Sequence, residues 1–305
     1  MISDDKRVLG FVGLGVMGEP MCLNLAAKSG AKVICLDLRP EPLVRLAASG
    51  IQVAESLAGM AANCDIVFLC LASAQATSEI VTGLLQHWGS ALENATRRRI
   101  VVDTGTTSLA TTRVLAQRAQ ALGHAYVDAP VARMPAAAVS GTLSIMVGSD
   151  AETLRCIEPY LRCMGTDITH CGAVGSGQVV KILHNTLLFE TVHALAEAIA
   201  VARRHGVDGE VLIGAIELGS ADCQAARVQG RQALLPRKYP NDRFSTRYAL
   251  KDVSLALELA EMANVGVSVG PATAAILKRG IEAGYGDQYY PSLYEVITDV
   301  KEAGC

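Results

Sequence analysis

Val8-Leu9-Gly10-Phe11-Val12-Gly13-Leu14-Gly15-Val16-Met17-Gly18 is the stretch whose reading decides the fold. A short apolar strand runs straight into a G-x-G-x-x-G turn, and a helical pattern from Met21 to Ala27 follows and stops at Gly30. That order builds a dinucleotide site. Gly13 makes the tight turn, Gly15 lets the backbone approach a pyrophosphate, Gly18 permits close helix packing, and the helix N-terminus faces the phosphates. Leu14, Val16 and Met17 complete the same cofactor-binding loop. The next strand, Lys32 to Leu36, ends in Asp37, where a carboxylate can hydrogen-bond the adenosine ribose hydroxyls. A carboxylate there repels the extra phosphate of NADP, so NAD is the expected cofactor. Arg39 has three open roles: pairing with that phosphate, stacking on adenine, or standing in solvent.

Outward from this stretch, apolar strands alternate with helical segments at Asp65 to Cys70, Ile100 to Asp103, Tyr126 to Asp128 and Leu143 to Val147. Alternation of this kind describes a mostly parallel, doubly wound α/β sheet of the Rossmann type, whose ligands bind outside the carboxyl ends of the strands. Leu71 to Ser73, Thr104 to Thr107 and Ala129 to Arg133 are those ends and are read as loops. The alternation stops after Ile168-Thr169-His170, so the nucleotide domain is expected over residues 1–172 and an all-α domain over 173–305, with a cleft between them. The second domain is read as helices over Val211 to Leu218, Val253 to Ala263 and Ala272 to Ala283, with a proline-rich polar loop from Leu234 to Asp242.

A long interdomain helix joins the two. Gly175-Ser176-Gly177-Gln178-Val179-Val180-Lys181-Ile182-Leu183-His184-Asn185 opens it, and neither proline nor glycine interrupts it before Gly206. Val180, Leu183, Leu187, Leu188, Leu195, Ile199 and Val201 leave almost no polar face, which predicts a helix buried on most sides. Lys181 and Asn185 lie one turn apart, with Gln178 and His184 as three-apart neighbours, so a small polar cluster sits in an apolar surround. From the residues alone, Lys181 either reaches water from a helix end or faces a functional cleft.

Composition excludes several other classes. With 305 residues and half of them apolar, the chain can bury a large core. A net charge of -3 and the lone basic cluster Arg97-Arg98-Arg99 give no nucleic-acid-binding stripe. The polar, acidic stretch Met1 to Arg7 has no apolar leader region, and Glu190, His193 and Glu197 break the long helix as a membrane span, so a cytoplasmic location is expected. The nine cysteines form no C-x-x-C pair, and the six histidines show no ligand spacing, so free thiols and no bound metal are expected.

Five motifs in order give the chain a specific resemblance to a known family: Gly10 to Gly18; Asp103-Thr104-Gly105-Thr106; Asp128-Ala129-Pro130-Val131 with Gly141-Thr142-Leu143; Gly175-x-Gly177-x-x-x-Lys181-x-x-x-Asn185; and Lys251-Asp252. Over nearly its whole length it resembles the β-hydroxyacid dehydrogenases of the 3-hydroxyisobutyrate dehydrogenase and tartronate semialdehyde reductase type. The resemblance implies an NAD-dependent oxidoreductase that interconverts a small anionic β-hydroxyacid and its semialdehyde or ketone. It implies Lys181 as catalytic acid/base, Asn185 as a substrate-orienting partner, and Leu71, Thr106 and Lys251 on the nicotinamide side. A homodimer or homotetramer is implied as well. A lysine that accepts the hydroxyl proton must fall from its reference pKa of about 10.4 to roughly 7–8, and Lys251 and Arg133 are candidate cations for that shift.

Three departures stand out. The family's Ser-Gly-Gly substrate loop is Ala132-Arg133-Met134 here, and the arginine resembles the one in sulfolactaldehyde reductase. Arg133 then either anchors a substrate carboxylate, sulfonate or phosphate or pairs with a surface acid. His184 replaces an asparagine, as either a support behind the substrate contacts or a packed histidine, and Gly105 replaces a serine. Two other functions remain on the same sequence features: a non-catalytic NAD-binding regulatory or scaffold protein, against which Lys181 and Asn185 speak, and an imine reductase, whose members typically lack that lysine.

Overall fold

The structure, a computed structural model, describes residues 7–91 and 97–299; the N-terminal stretch read above lies outside it except for Arg7. The chain divides into two compact units, Met1–Lys181 and Ile182–Cys305.

In the first unit, β1 (Val8–Val12), β2 (Lys32–Leu36), β3 (Gln52–Val53), β4 (Ile66–Leu69), β5 (Ile100–Asp103), β6 (Ala125–Asp128), β7 (Val131–Ala132), β8 (Leu143–Gly148) and β9 (Gly165–Gly172) form one sheet. Its order is β3-β2-β1-β4-β5-β6-β8-β7, with β9 on β8. The strands from β3 to β6 are parallel, which requires crossovers, and helices such as Gly18–Lys28, Pro40–Ala48 and Leu109–Ala121 supply them. β8 runs antiparallel to β6 and β7 and parallel to β9. The reading of Ala129 to Arg133 as loop is therefore corrected: Val131 and Ala132 pair with Ile145 and Ser144. Two residues are too few to show a strand's period in sequence.

The parallel strands are apolar throughout because both faces are covered. Side-chain alternation sends Ile66 and Phe68 of β4 into one core layer, with Leu9, Phe11 and Val127, and sends Val67 and Leu69 into the other, with Val101 and Tyr126.

The helix Ser176–Arg204 begins in the first unit and continues into the second. The second unit continues with helices Gly209–Leu218, Thr246–Met262, Val269–Gly280 and Leu293–Thr298 and a widened π-helical stretch, Ala226–Leu234. Its core gathers Phe189, Val192, Ala196 and Ile199 of the long helix with Ile213, Val253, Leu277 and Tyr290. The expectation of a helix buried on most sides is corrected in this chain. Ile182, Phe189, Val192, Ala196 and Ile199 form a buried stripe, whereas Leu183, Leu187 and Val201 are at least half exposed. An all-round apolar pattern marks faces that avoid water, and one chain covers only part of them. No described helix is long and apolar enough to cross a membrane.

Candidate active site

The glycine turn is shaped by backbone contacts. Gly13 has φ +92, and a side chain there would strike the Cys70 carbonyl. Gly18 lies so close to the Gly13 carbonyl that no Cβ fits, which seats the helix Gly18–Lys28 against the turn. Gly15 faces open space. A bare backbone with room above it, at the start of a helix, suits a pyrophosphate, so these residues fit a dinucleotide. Asp37, at the end of β2, accepts the Leu14 amide at 2.5 Å through one carboxylate oxygen and the Arg39 amide at 2.8 Å through the other. Burial alone would raise the Asp37 pKa; the Arg39 and Leu14 amides and the Arg39 guanidinium outweigh it and hold the carboxyl below its usual range. Arg39 also donates to the Leu14 carbonyl at 3.0 Å, so its side chain lies back along the loop.

Beside this turn is the loop after β5. The Leu71 side chain packs against Gly13, and its carbonyl stands 3.0 Å from where a Gly105 side chain would begin, so Leu71 joins the two loops. Asp103, fully buried, accepts the Gly105 amide at 2.9 Å and the Tyr126 hydroxyl at 2.8 Å. Gln178 of the long helix holds the loop from the other side: its amide nitrogen donates to the Gly105 carbonyl at 2.8 Å, and its oxygen accepts the Thr107 amide at 3.1 Å. Thr106 sits between these two clamps.

The long helix is itself anchored by Asp128, a fully buried carboxylate at the end of β6 that accepts the Gly175 amide at 2.6 Å and the Gln178 amide at 2.8 Å. It satisfies N-terminal donors that the helix leaves unpaired and complements the helix dipole. Burial raises the Asp128 pKa, against the lowering effect of these amides. Gly148 has no room for a side chain because this carboxylate fills the space, and at Gly177 the Met146 carbonyl and the same carboxylate fill it together. Lys181, three residues beyond Gln178, is 7% exposed.

Arg133 follows β7 with φ +88, a conformation suited to glycine. Its guanidinium donates to the Thr142 carbonyl at 2.5 Å and to the Thr166 hydroxyl at 3.3 Å, and it pairs with Asp167 at 2.8 Å. Ala132 is buried and Met134 is 41% exposed. In this state Arg133 contacts a surface acid, the second of the two roles open to it.

In the second unit, Asn185 is buried and donates from Nδ2 to Oδ2 of Asp252 at 2.7 Å. Asp252 is 1% exposed, and its Oδ1 lies 3.0 Å from Lys251 Nζ, an ion pair without the alignment of a hydrogen bond. Lys251 and Arg133 therefore each have a carboxylate partner. His184 is exposed rather than packed, because it points away from the buried stripe that carries Lys181 and Asn185.

Asp128, Gln178 and Asp252 stand in the sequence motifs without roles that the sequence reveals. A carboxylate at the end of an apolar strand, as in Tyr126-Val127-Asp128, was the signal available for the first. Among the described residues, no cluster of three His, Cys, Asp or Glu could hold a metal.

Comparison with known proteins agrees with this geometry. Residues 8–172 match the NAD-binding domain of 6-phosphogluconate dehydrogenase, and residues 175–297 match the domain described as NAD-binding of NADP-dependent 3-hydroxyisobutyrate dehydrogenase. The chain is 31% identical to 2-(hydroxymethyl)glutarate dehydrogenase of Eubacterium barkeri, over 97% of each chain. It is 28% identical to the mitochondrial 3-hydroxyisobutyrate dehydrogenase of Mus musculus, over 96% of this chain and 88% of the relative. The solved 3-hydroxyisobutyrate dehydrogenase of Mycobacterium tuberculosis, with L-serine, superposes with a TM-score of 0.85 at 28% identity, covering 95% of this chain and 99% of that one. An imine reductase from Myxococcus stipitatus shares the fold alone, at 18% identity and a TM-score of 0.65. The chain belongs to the β-hydroxyacid dehydrogenase family, of the 3-hydroxyisobutyrate dehydrogenase type, and is an NAD(P)-dependent oxidoreductase acting on CH–OH.

Proposed function

We propose that this enzyme interconverts a small anionic β-hydroxyacid and its semialdehyde or ketone, using NAD, with Lys181 handling the proton. The observation that carries the reading is Lys181 itself: a lysine only 7% exposed, five residues into a helix whose start is tied down by Asp128 and Gln178. A buried lysine is costly without a task, and a positioned donor beside a reacting oxygen is such a task. The bound nicotinamide supplies or accepts hydride. Lys181 Nζ donates a proton to the carbonyl oxygen on reduction and removes it from the hydroxyl on oxidation. Asn185, one turn along, orients the substrate. Gly13, Leu14, Gly15, Val16, Met17 and Gly18 would hold the phosphates, and Asp37 the adenosine ribose. Leu71, Thr106 and Lys251 would flank the nicotinamide.

NAD preference follows from Asp37, whose carboxyl stays ionised at neutral pH, while Arg39 is held against Asp37 and the Leu14 carbonyl. Arg133 is the anchor for the substrate's acidic group, which replaces Asp167 on the guanidinium. Ala132 and Met134 border it. The exposed Val180, Leu183, Leu187 and Val201 support a homodimer or homotetramer, and the partners expected otherwise are small anions. The test is a spectrophotometric screen of short aldehydes ending in carboxylate, sulfonate or phosphate, and of their alcohols, with NADH or NAD and with NADPH or NADP. Turnover of an acidic aldehyde with higher kcat/KM for NADH is expected. NADH binding with no turnover of any compound would favour the non-catalytic reading.

A further inference from the structure

Asp252 is a nearly inaccessible carboxylate in contact with two residues of the proposed site. Its Oδ2 takes a hydrogen bond from Asn185 Nδ2 at 2.7 Å, and its Oδ1 stands 3.0 Å from Lys251 Nζ. A carboxylate only accepts, so this contact settles which way the Asn185 amide is turned: the nitrogen faces Asp252, and the carbonyl oxygen is directed elsewhere as an acceptor. The Asn185 and Asp252 side chains are 6% and 1% exposed, so water cannot replace either partner cheaply. Lys251 keeps 36% of its side chain accessible, so the same carboxylate reaches from a buried amide to a cation open to solvent.

We infer that Asp252 is a positioning residue that holds Asn185 in one amide orientation and Lys251 in one place, so that the substrate-orienting group and the cofactor-side cation are set by a single carboxylate. The inference rests on the proposed roles of Asn185 and Lys251. If the carboxylate is lost, the Asn185 nitrogen loses the acceptor that fixes its direction, which favours a turned amide presenting NH₂ where the site needs an acceptor. Lys251 loses its counter-charge in the same step. Asp252 acts through these neighbours, so removing it adds little once they are gone.

The experiment is a double-mutant cycle on the full-length enzyme with the best substrate from the screen above. Asp252→Asn and Asn185→Ala are each expected to lower kcat by about 10- to 100-fold, and the double variant should be no slower than the worse single, because groups acting as a unit are non-additive. NADH affinity, read by fluorescence titration, should weaken in Asp252→Asn and not in Asn185→Ala. Melting curves check folding. If Asp252→Asn does not fold, Asp252→Glu keeps the charge but is one methylene too long to hold both partners, and it enters the same cycle with the same expectation. Multiplying losses in the double variant, or wild-type kcat and NADH affinity in a folded Asp252 variant, would overturn the inference. Lys181→Ala, assayed in parallel, separates the two levels: if it abolishes turnover while Asp252 variants do not, only the positioning role fails. If Lys181→Ala and Asn185→Ala both turn over normally, the proposed site itself is wrong.

Discussion

Replacing Asp128 with asparagine probes the anchor of the long helix with almost no change in shape. The carboxylate accepts two backbone amides, from Gly175 and Gln178, at 2.6 and 2.8 Å. An asparagine can accept only one of them, and its own NH₂ then opposes the other donor. The loss is one charge-assisted hydrogen bond with a buried donor left unpaired, about 1.5–3 kcal/mol. Relief of a buried charge offsets part of it, since burial already raises the Asp128 pKa. A net loss of about 1–2.5 kcal/mol corresponds to a fall in Tm of roughly 2–10 °C for a unit of this size. Activity should fall further than stability suggests. Gln178 carries one of the two amides and also clamps the loop around Thr106, and Lys181 is only three residues on. A displacement near 1 Å of a catalytic group costs on the order of 10²-fold in rate, so kcat should drop about 10- to 100-fold. Differential scanning calorimetry and steady-state NADH kinetics on the same preparation measure both effects. Wild-type Tm with wild-type kcat would refute the anchoring argument.

Arg133→Gly should be more stable than Arg133→Ala by about 1–2 kcal/mol, because both lack the guanidinium and only glycine adopts φ +88 without strain; chemical denaturation checks the order, and its reversal would contradict the strain. Both variants should lose kcat/KM for acidic substrates far more than for neutral analogues of equal length. His124 Nδ1 accepts the Arg99 amide at 3.2 Å, so Nε2 carries the proton given to the Gly89 carbonyl at 3.0 Å, and the ring must stay neutral. Burial, with Arg99 adding to it, lowers the His124 pKa, so below about 6.5 the unfolded chain binds a proton that the folded one refuses. Stability should therefore be full near pH 7 and fall toward pH 5. In His124→Asn, whose side-chain oxygen can stand in for Nδ1, urea denaturation should show a shallower fall; an unchanged slope would point to other groups.

The nucleotide half of the site was legible because its requirements are local. The G-x-G-x-x-G spacing lies within six residues, Gly18 clears the Gly13 carbonyl five residues back, and Asp37 is tied to the turn by the crossover length of one strand–helix–strand unit; only the Cys70 carbonyl that Gly13 clears comes from far along the chain. Contacts closing long loops left no pattern to read. Asp128 meets Gly175 across 47 positions, and Asn185 meets Asp252 across 67. The Arg133 departure was visible, but its Asp167 partner and its left-handed backbone were not, since nothing in Ala132-Arg133-Met134 announces φ +88. Periodicity also misled where it was weakest. The long helix is apolar on every side, so its pattern could not tell Ile182, which is buried, from Leu183, which is half exposed. The π-helical stretch Ala226–Leu234 mixes arginine, glutamine and glycine at no helical spacing and escaped notice.

The central claim is that Lys181 moves the proton during hydride transfer, and single-turnover kinetics of Lys181→Ala with preloaded NADH test it most directly. The cofactor affinity of the variant should match that of the wild type, because the lysine is assigned to the substrate and not to the phosphate cradle. The rate of NADH oxidation by the acidic aldehyde should fall about 10²- to 10⁴-fold, the usual range for a positioned acid or base. A near-normal single-turnover rate with intact NADH binding would contradict the account and remove Lys181 from the chemistry.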